Sequence, residues 1–232
     1  MRIVGLQRVS LLDYTDKIAA TVFLAGCNLN CGYCHNRWML EAGAPVAISE
    51  DAFLEWLATR RGLLDGVCVS GGEPTLSPDL AHLLRAIKDL GFDVKLDTNG
   101  TRPEVLGPLL DEGLVDMVAM DLKAPLDERY AEVAGRPVDV EPLRCSMAHL
   151  RRWGGAYEFR TTVGPQVGED WLQAIAPELL PGEVWYLQMF RASEGVDPDL
   201  AAAEAPDEDA LAAMAARLAE MAPGVRVRGV AG

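Results

Sequence analysis

Three cysteines, Cys27, Cys31 and Cys34, stand in the segment GCNLNCGYCHN with the spacing C-x3-C-x2-C. Thiolates suit soft metals, and three of them on one short loop can reach three corners of a cubane iron–sulfur cluster. Gly26 and Gly32 let the backbone wrap closely around such a group. A cluster with three protein ligands leaves one iron open to a ligand that is not protein. The alternative is a structural zinc site with His35 or another residue as fourth ligand. Zinc asks for a closed tetrahedron, usually built from paired C-x2-C or C-x2-H units. No second pair is present, and His82 and His149 stand alone in helical stretches. Five cysteines in all, three of them clustered, argue for metal or redox chemistry rather than disulfides. Cys68, in the apolar run GVCVSG, reads as a small core residue, and Cys145 is isolated.

Other polar groups recur just after apolar runs. Gly71-Gly72-Glu73-Pro74 exposes backbone for close approach, and its carboxylate could accept a charge-assisted hydrogen bond from an ammonium. An ordinary strand-to-helix turn would look the same. Asp97-Thr98-Asn99-Gly100 contains the common Asn-Gly turn. Asp121 and Lys123 lie two apart, so on a strand they face one side, behind the apolar run LVDMVAM. Buried charges persist when they are paired with each other or bound to a polar ligand. Arg160 and Gln188 fall within later strand-like runs, and Tyr33 and His35 flank the third cysteine.

The elements that must position these groups alternate between strand-like and helix-like. Strands are expected at about 18–26, 65–71, 92–97, 114–123, 156–163, 183–190 and 225–229. Helices are expected over Ser49–Arg60 and Ser77–Leu90, near 103–112, from 126 to 153 with a break at Gly135-Arg136-Pro137, at 169–176 and at 207–221. The segment 191–206 reads as a loop. Strands alternating with helices argue a parallel sheet with right-handed crossovers. A complete eight-unit barrel takes about 250 residues. Roughly six units in 232 residues predict an incomplete parallel (β/α)6 barrel forming one domain, residues 1–232. In such a fold the cysteine loop, Gly71–Pro74, Asp97–Asn99, Met120–Lys123 and Gln188 all fall on the C-terminal rim of the strands, where one shared site belongs.

The totals narrow the partners. Half of the residues are apolar and the net charge is −14, with no basic cluster. That balance argues against nucleic acid, whose binding draws on Lys and Arg neutralising phosphates. No apolar run is long enough for a membrane span, and the opening lacks a secretory plan, so a cytoplasmic protein is expected.

The segment GCNLNCGYCHN resembles the signature of the radical S-adenosylmethionine (SAM) superfamily, and its YCHN ending resembles the branch that activates glycyl radical enzymes. IVGLQRVSLLDY…KIAATVFLAGC, SGGEPTL, KLDTNGT, AMDLKAP, FRTTV and LQMFR are similar to activating proteins of anaerobic ribonucleotide reductase, from about residue 1 to 229. The resemblance implies a partial TIM barrel that holds one [4Fe–4S] cluster on Cys27, Cys31 and Cys34, with SAM on the open iron. It implies that Gly71, Gly72 and Glu73 receive the amino group of SAM, and that Asp97, Thr98 and Asn99 join the pocket. Asp121, Lys123 and Arg160 would contact SAM, Gln188 would orient the adenosine, and Tyr33 and His35 would shield the cluster or touch the adenine. The implied reaction cleaves SAM reductively to a 5′-deoxyadenosyl radical. That radical takes a Cα hydrogen from a glycine of the partner, anaerobic ribonucleotide reductase, and a flavodoxin or ferredoxin supplies the electron. Rival readings are a pyruvate formate-lyase activase-like protein, a small-molecule enzyme like 7-carboxy-7-deazaguanine synthase, and a non-catalytic electron-transfer or zinc protein.

Overall fold

The structure, a computed structural model, describes residues 1–41, 43–193 and 195–228. Its residues group into two compact units that alternate along the chain. One comprises Met1–Asn28, Trp38–Ala119 and Glu141–Ala156; the other comprises Leu29–Arg37, Met120–Val140 and the chain from Tyr157 onward.

The first unit is built on strands β1 (Ile3–Ser10), β2 (Ala19–Leu24), β3 (Gly66–Gly71) and β4 (Asp93–Thr98). β2, β3 and β4 are parallel, with Cys68 opposite Thr21 on one side and Lys95 on the other. Ala19, Ala20, Val22, Leu24, Val67, Cys68 and Val69 are all buried, as strands covered on both faces must be. The helices of this unit are α1 (Glu50–Ala58), α2 (Leu80–Asp89), α3 (Pro103–Asp111) and, later in the chain, α5 (Glu141–Trp153), with α2 packed on β4 and α3 on α5. α2 buries Leu80, Leu83, Leu84 and Ile87, the spacing of one helical face. Ser49 caps α1, its hydroxyl accepting from the Ala52 amide at 3.2 Å.

The second unit holds β6 (Ala156–Val163) from Tyr157 onward, β7 (Trp185–Met189) and β8 (Val225–Arg228), all parallel. It also holds α4 (Tyr130–Ala134), α6 (Glu169–Ile175), α7 (Pro198–Ala202) and α8 (Glu208–Leu218). One face of this sheet is apolar: Phe159, Trp185 and Leu187 are fully buried, and α8 packs on β7 and β8. The residues between them, Glu158, Arg160, Thr162, Tyr186 and Gln188, point to the other face. β5 (Met117–Asp121) has its first three residues in the first unit and its last two in the second.

Within each unit strand order follows chain order, β1 to β4 in the first and β6 to β8 in the second. The expected β/α units are β2 to β7, each followed by helix, and the class is α/β with a parallel sheet. Three details differ from the sequence reading. β1 was not anticipated: it runs antiparallel to β2, and its burial does not alternate, so it carries no strand period. The helix expected from Ser77 starts at Leu80, because Pro74–Leu76 form a tight 3-10 turn that uses Ser77 as its last residue. The loop expected over 191–206 contains α7, with Asp197 accepting from the Asp199 amide and Pro198 following, a start signal on a helix of only five residues. The break after α4 falls at Gly135, in the left-handed region. The final strand reaches Arg228, and Gly229 lies outside the described residues. No helix among the described residues is long and apolar enough to cross a membrane.

Candidate functional site

In the first unit the ends of β2, β3 and β4 bring Cys27, Glu73, Thr98 and Asn99 together. Gly72 donates to the Leu24 carbonyl at 2.9 Å and Glu73 donates to the Gly26 carbonyl at 2.8 Å, locking the turn after β3 to the residue before Cys27. A side chain on Gly72 would collide with the Gly26 carbonyl, and Gly71 has φ +126°. The glycine pair is thus required by the close approach of two backbones. The Glu73 carboxylate is turned inward and 1% exposed. It accepts from the Thr75 amide (3.1 Å), the Thr75 hydroxyl (2.6 Å), the Thr98 hydroxyl (2.8 Å) and the Asn99 amide (2.6 Å). Burial pushes its carboxyl above the usual value, with those hydrogen bonds working against the rise. Three of these bonds fall on Oε1 and one on Oε2, so the carboxylate braces the turn after β3 against the end of β4.

Asn99 links this bracket to the cysteine loop. Its side-chain amide donates to Asn28 Oδ1 at 2.9 Å and lies 3.9 Å from the Cys27 sulfur. Asn28 in turn donates to the Thr101 hydroxyl at 2.7 Å. Asn28 and Thr101 were not singled out in the sequence, although Asn28 lies inside the cysteine motif. Asp97 accepts from Lys95 Nζ at 2.5 Å and from the Ser70 hydroxyl at 3.0 Å.

In the second unit Asp121, at the end of β5, accepts from Lys123 Nζ at 2.8 Å and from Arg160 Nε at 2.9 Å. The side-by-side reading of Asp121 and Lys123 holds, and Arg160 joins them from β6. The Lys123 ammonium also lies 5.8 Å from the centre of the Tyr33 ring. Burial alone would pull the Lys123 pKa down. Asp121, with Tyr33, Cys31 and Tyr130 behind it, outweighs burial and holds it well above the ordinary lysine value. The Cys31 thiol is pushed up by burial, while the Lys123 charge pulls it down. Burial also raises Tyr33 and Tyr130.

The rest of the cysteine loop is clasped by main-chain bonds. The Asn30 amide donates to the Ala134 carbonyl and the Asp197 amide to the Gly32 carbonyl, both at 2.8 Å. A side chain on Gly135 would strike the Asn30 carbonyl, and one on Gly32 would press on Leu200 at 2.7 Å. His35 is exposed, and its Nε2 donates to the Arg191 carbonyl at 2.5 Å, so it anchors the segment after β7. Gln188 sits in register between Thr162 and Arg228 on the polar face of the sheet.

This donor set fits the expected groups. The three thiols are free of disulfides. An amide N–H approaches one sulfur, the kind of outer contact that tunes thiolate ligands. Among the described residues no three His, Cys, Asp or Glu side chains are grouped as ligands of a single metal ion.

The chain is 33% identical over 216 residues to MJ1227 of Methanocaldococcus jannaschii, assigned by name to the glycyl-radical enzyme activating enzymes, covering 89% of this chain and 87% of that one. It is 37% identical over 122 residues to pyruvate formate-lyase 1-activating enzyme of Escherichia coli, covering 49% and 48%. In fold it is similar to SuiB of Streptococcus suis, in a structure bound to S-adenosylmethionine, with a TM-score of 0.68 at 14% identity, covering 90% of this chain and 52% of SuiB. The family model described as the radical SAM superfamily matches residues 21–176, from β2 through α6, the stretch that carries the cysteine loop and both polar groups described above. The chain belongs to the radical SAM superfamily, whose cofactors are one [4Fe–4S] cluster and S-adenosyl-L-methionine.

Proposed function

We propose that this chain is an activating enzyme for a glycyl radical enzyme, working as one radical SAM core domain over residues 1–232. The observation that carries the reading is the match to MJ1227 over nearly the whole of both chains. Cys27, Cys31 and Cys34 hold the cluster in this reading. Lys123 and Arg160 bind the carboxylate of SAM, Gly71, Gly72 and Asp97 receive its amino end, and Tyr33 and Gln188 border the adenosine. Thr98 and Asn99 hold the pocket wall through Glu73, and His35 fixes the strap after β7. Together, when bound, cluster and SAM supply a one-electron cleavage of the sulfonium that ends in removal of hydrogen from a glycine. The chain's own residues orient the ligand and keep water from it.

For the partner we favour anaerobic ribonucleotide reductase, on the resemblance of the SGGEPTL, KLDTNGT and AMDLKAP segments; a pyruvate formate-lyase-like partner is the alternative. Free thiols and the reducing chemistry suit the cytoplasm, with a flavodoxin or ferredoxin as electron donor. The test is anaerobic reconstitution, reduction and mixing with each candidate partner. The expected result is 5′-deoxyadenosine and a glycyl-radical doublet in the EPR spectrum of one partner only. A magnesium requirement with turnover of a small molecule, and no radical on any protein, would favour the 7-carboxy-7-deazaguanine synthase-like reading. No 5′-deoxyadenosine from a fully loaded, reduced sample would remove the catalytic reading altogether.

A further inference from the structure

Lys95 is a buried cation that the reaction described so far does not use. It lies in the middle of β4 and is 1% exposed. Its Nζ donates to Asp97 Oδ1 at 2.5 Å and reaches the Cys68 sulfur at 3.9 Å, while the Ser70 hydroxyl donates to Asp97 Oδ2 at 3.0 Å. Lys95 and Asp97 are two apart on one strand, and Cys68 and Ser70 are two apart on its parallel neighbour, so all four share a face of the sheet. Lys95 and Ser70 thus reach the carboxylate from adjacent strands.

Such a row is an uneconomical way to hold a sheet together. Burying a lysine carries a desolvation cost, and an ion pair in such a place is often no more stable than apolar residues of similar volume. Cys68, beside Lys95 on the same face, is fully buried, and so are Val67, Val69, Val94 and Leu96 on the opposite face, so the setting is dry on both sides. What the pair does provide is a carboxylate held in one orientation at the end of β4, with its charge balanced from below. We propose that Lys95 is a positioning residue for S-adenosylmethionine, acting through Asp97, which it fixes for the cationic amino end of the ligand. The proposal rests on the reading of Asp97 as part of the SAM pocket. Ser70 is the second prop of the same carboxylate.

The test is titration of SAM into anaerobically reconstituted protein, with iron and sulfide measured on the same samples. Lys95→Met raises the Kd for SAM about tenfold or more, the scale of a lost charged hydrogen bond, while iron content stays at the wild-type level. Asp97→Asn raises it similarly, and the double variant is no worse than Asp97→Asn alone, because the two residues act as one unit. Ser70→Ala, a milder change that covers a poorly folding Lys95→Met, raises the Kd about threefold and likewise adds nothing to Asp97→Asn. Wild-type affinity in both Lys95→Met and Ser70→Ala overturns the proposal, and so does full additivity with Asp97→Asn. Loaded wild-type protein that binds no SAM would instead overturn the underlying assignment of the pocket.

Discussion

The Glu73 carboxylate takes four hydrogen bonds from Thr75, Thr98 and Asn99 while fully enclosed. An amide in its place offers one acceptor oxygen and turns two N–H groups toward groups that already donate. Glu73→Gln should therefore lower the stability of the metal-free chain by about 1–3 kcal/mol, measured by urea unfolding. At the cysteines the expectation is the reverse. Cys31→Ala should abolish the iron–sulfur absorption and EPR signals and leave a cooperatively folding chain, because the loop is clasped by main-chain bonds that no thiol makes. The residue types that bear chemistry were legible in the sequence, since cysteine spacing and rim charges announce themselves. Their direction was not. Whether Glu73 faces a ligand or its own neighbours depends on Thr75 and Asn99, and Lys95 was hidden because a lysine in a strand reads as a surface residue until the sheet is assembled.

Strand ends set the electrostatics of the polar group in the second unit. β5 presents Asp121, the residues just after it present Lys123, and β6 presents Arg160 to the same carboxylate. Asp121→Ala should weaken SAM binding by tenfold or more and leave iron content largely intact; equal loss of both would mark a purely structural triad. Lys123 also lowers the proton affinity of the Cys31 thiol, against the upward push of burial. A thiol must lose its proton to ligate iron, so iron uptake falls off as pH drops. Lys123→Met removes the charge that favours thiolate, and the pH of half-maximal cluster reconstitution should move upward, while Lys123→Arg should keep it in place. Elements with strong periodicity were legible, as α2 with its three buried leucines and one isoleucine shows. The exceptions are short or irregular: β1 has no alternation and α7 has five residues, too few for a helical face to repeat.

At the scale of the whole molecule, the core is built from buried apolar side chains of β2–β4 and of β6 and β7, none of them a cysteine of the loop. Treatment with a chelator should therefore remove the cluster and leave a cooperative thermal transition within a few degrees of the loaded protein, as read by circular dichroism. A chain that lost its fold would belong with the small metal-dependent domains instead. The class of fold was legible from alternation and length, because six strand–helix units leave few ways to build a parallel sheet. The division into two units was not, because it depends on contacts between residues far apart in the chain. Its segments alternate, with 29–37 and 120–140 threaded between 1–28, 38–119 and 141–156. Wherever a chimera of two related genes is joined inside this chain, the junction severs one unit or both. Halves inherited from different parents would then have to match side chain for side chain, so exchange should succeed only between near relatives and diversity should accumulate by single substitutions.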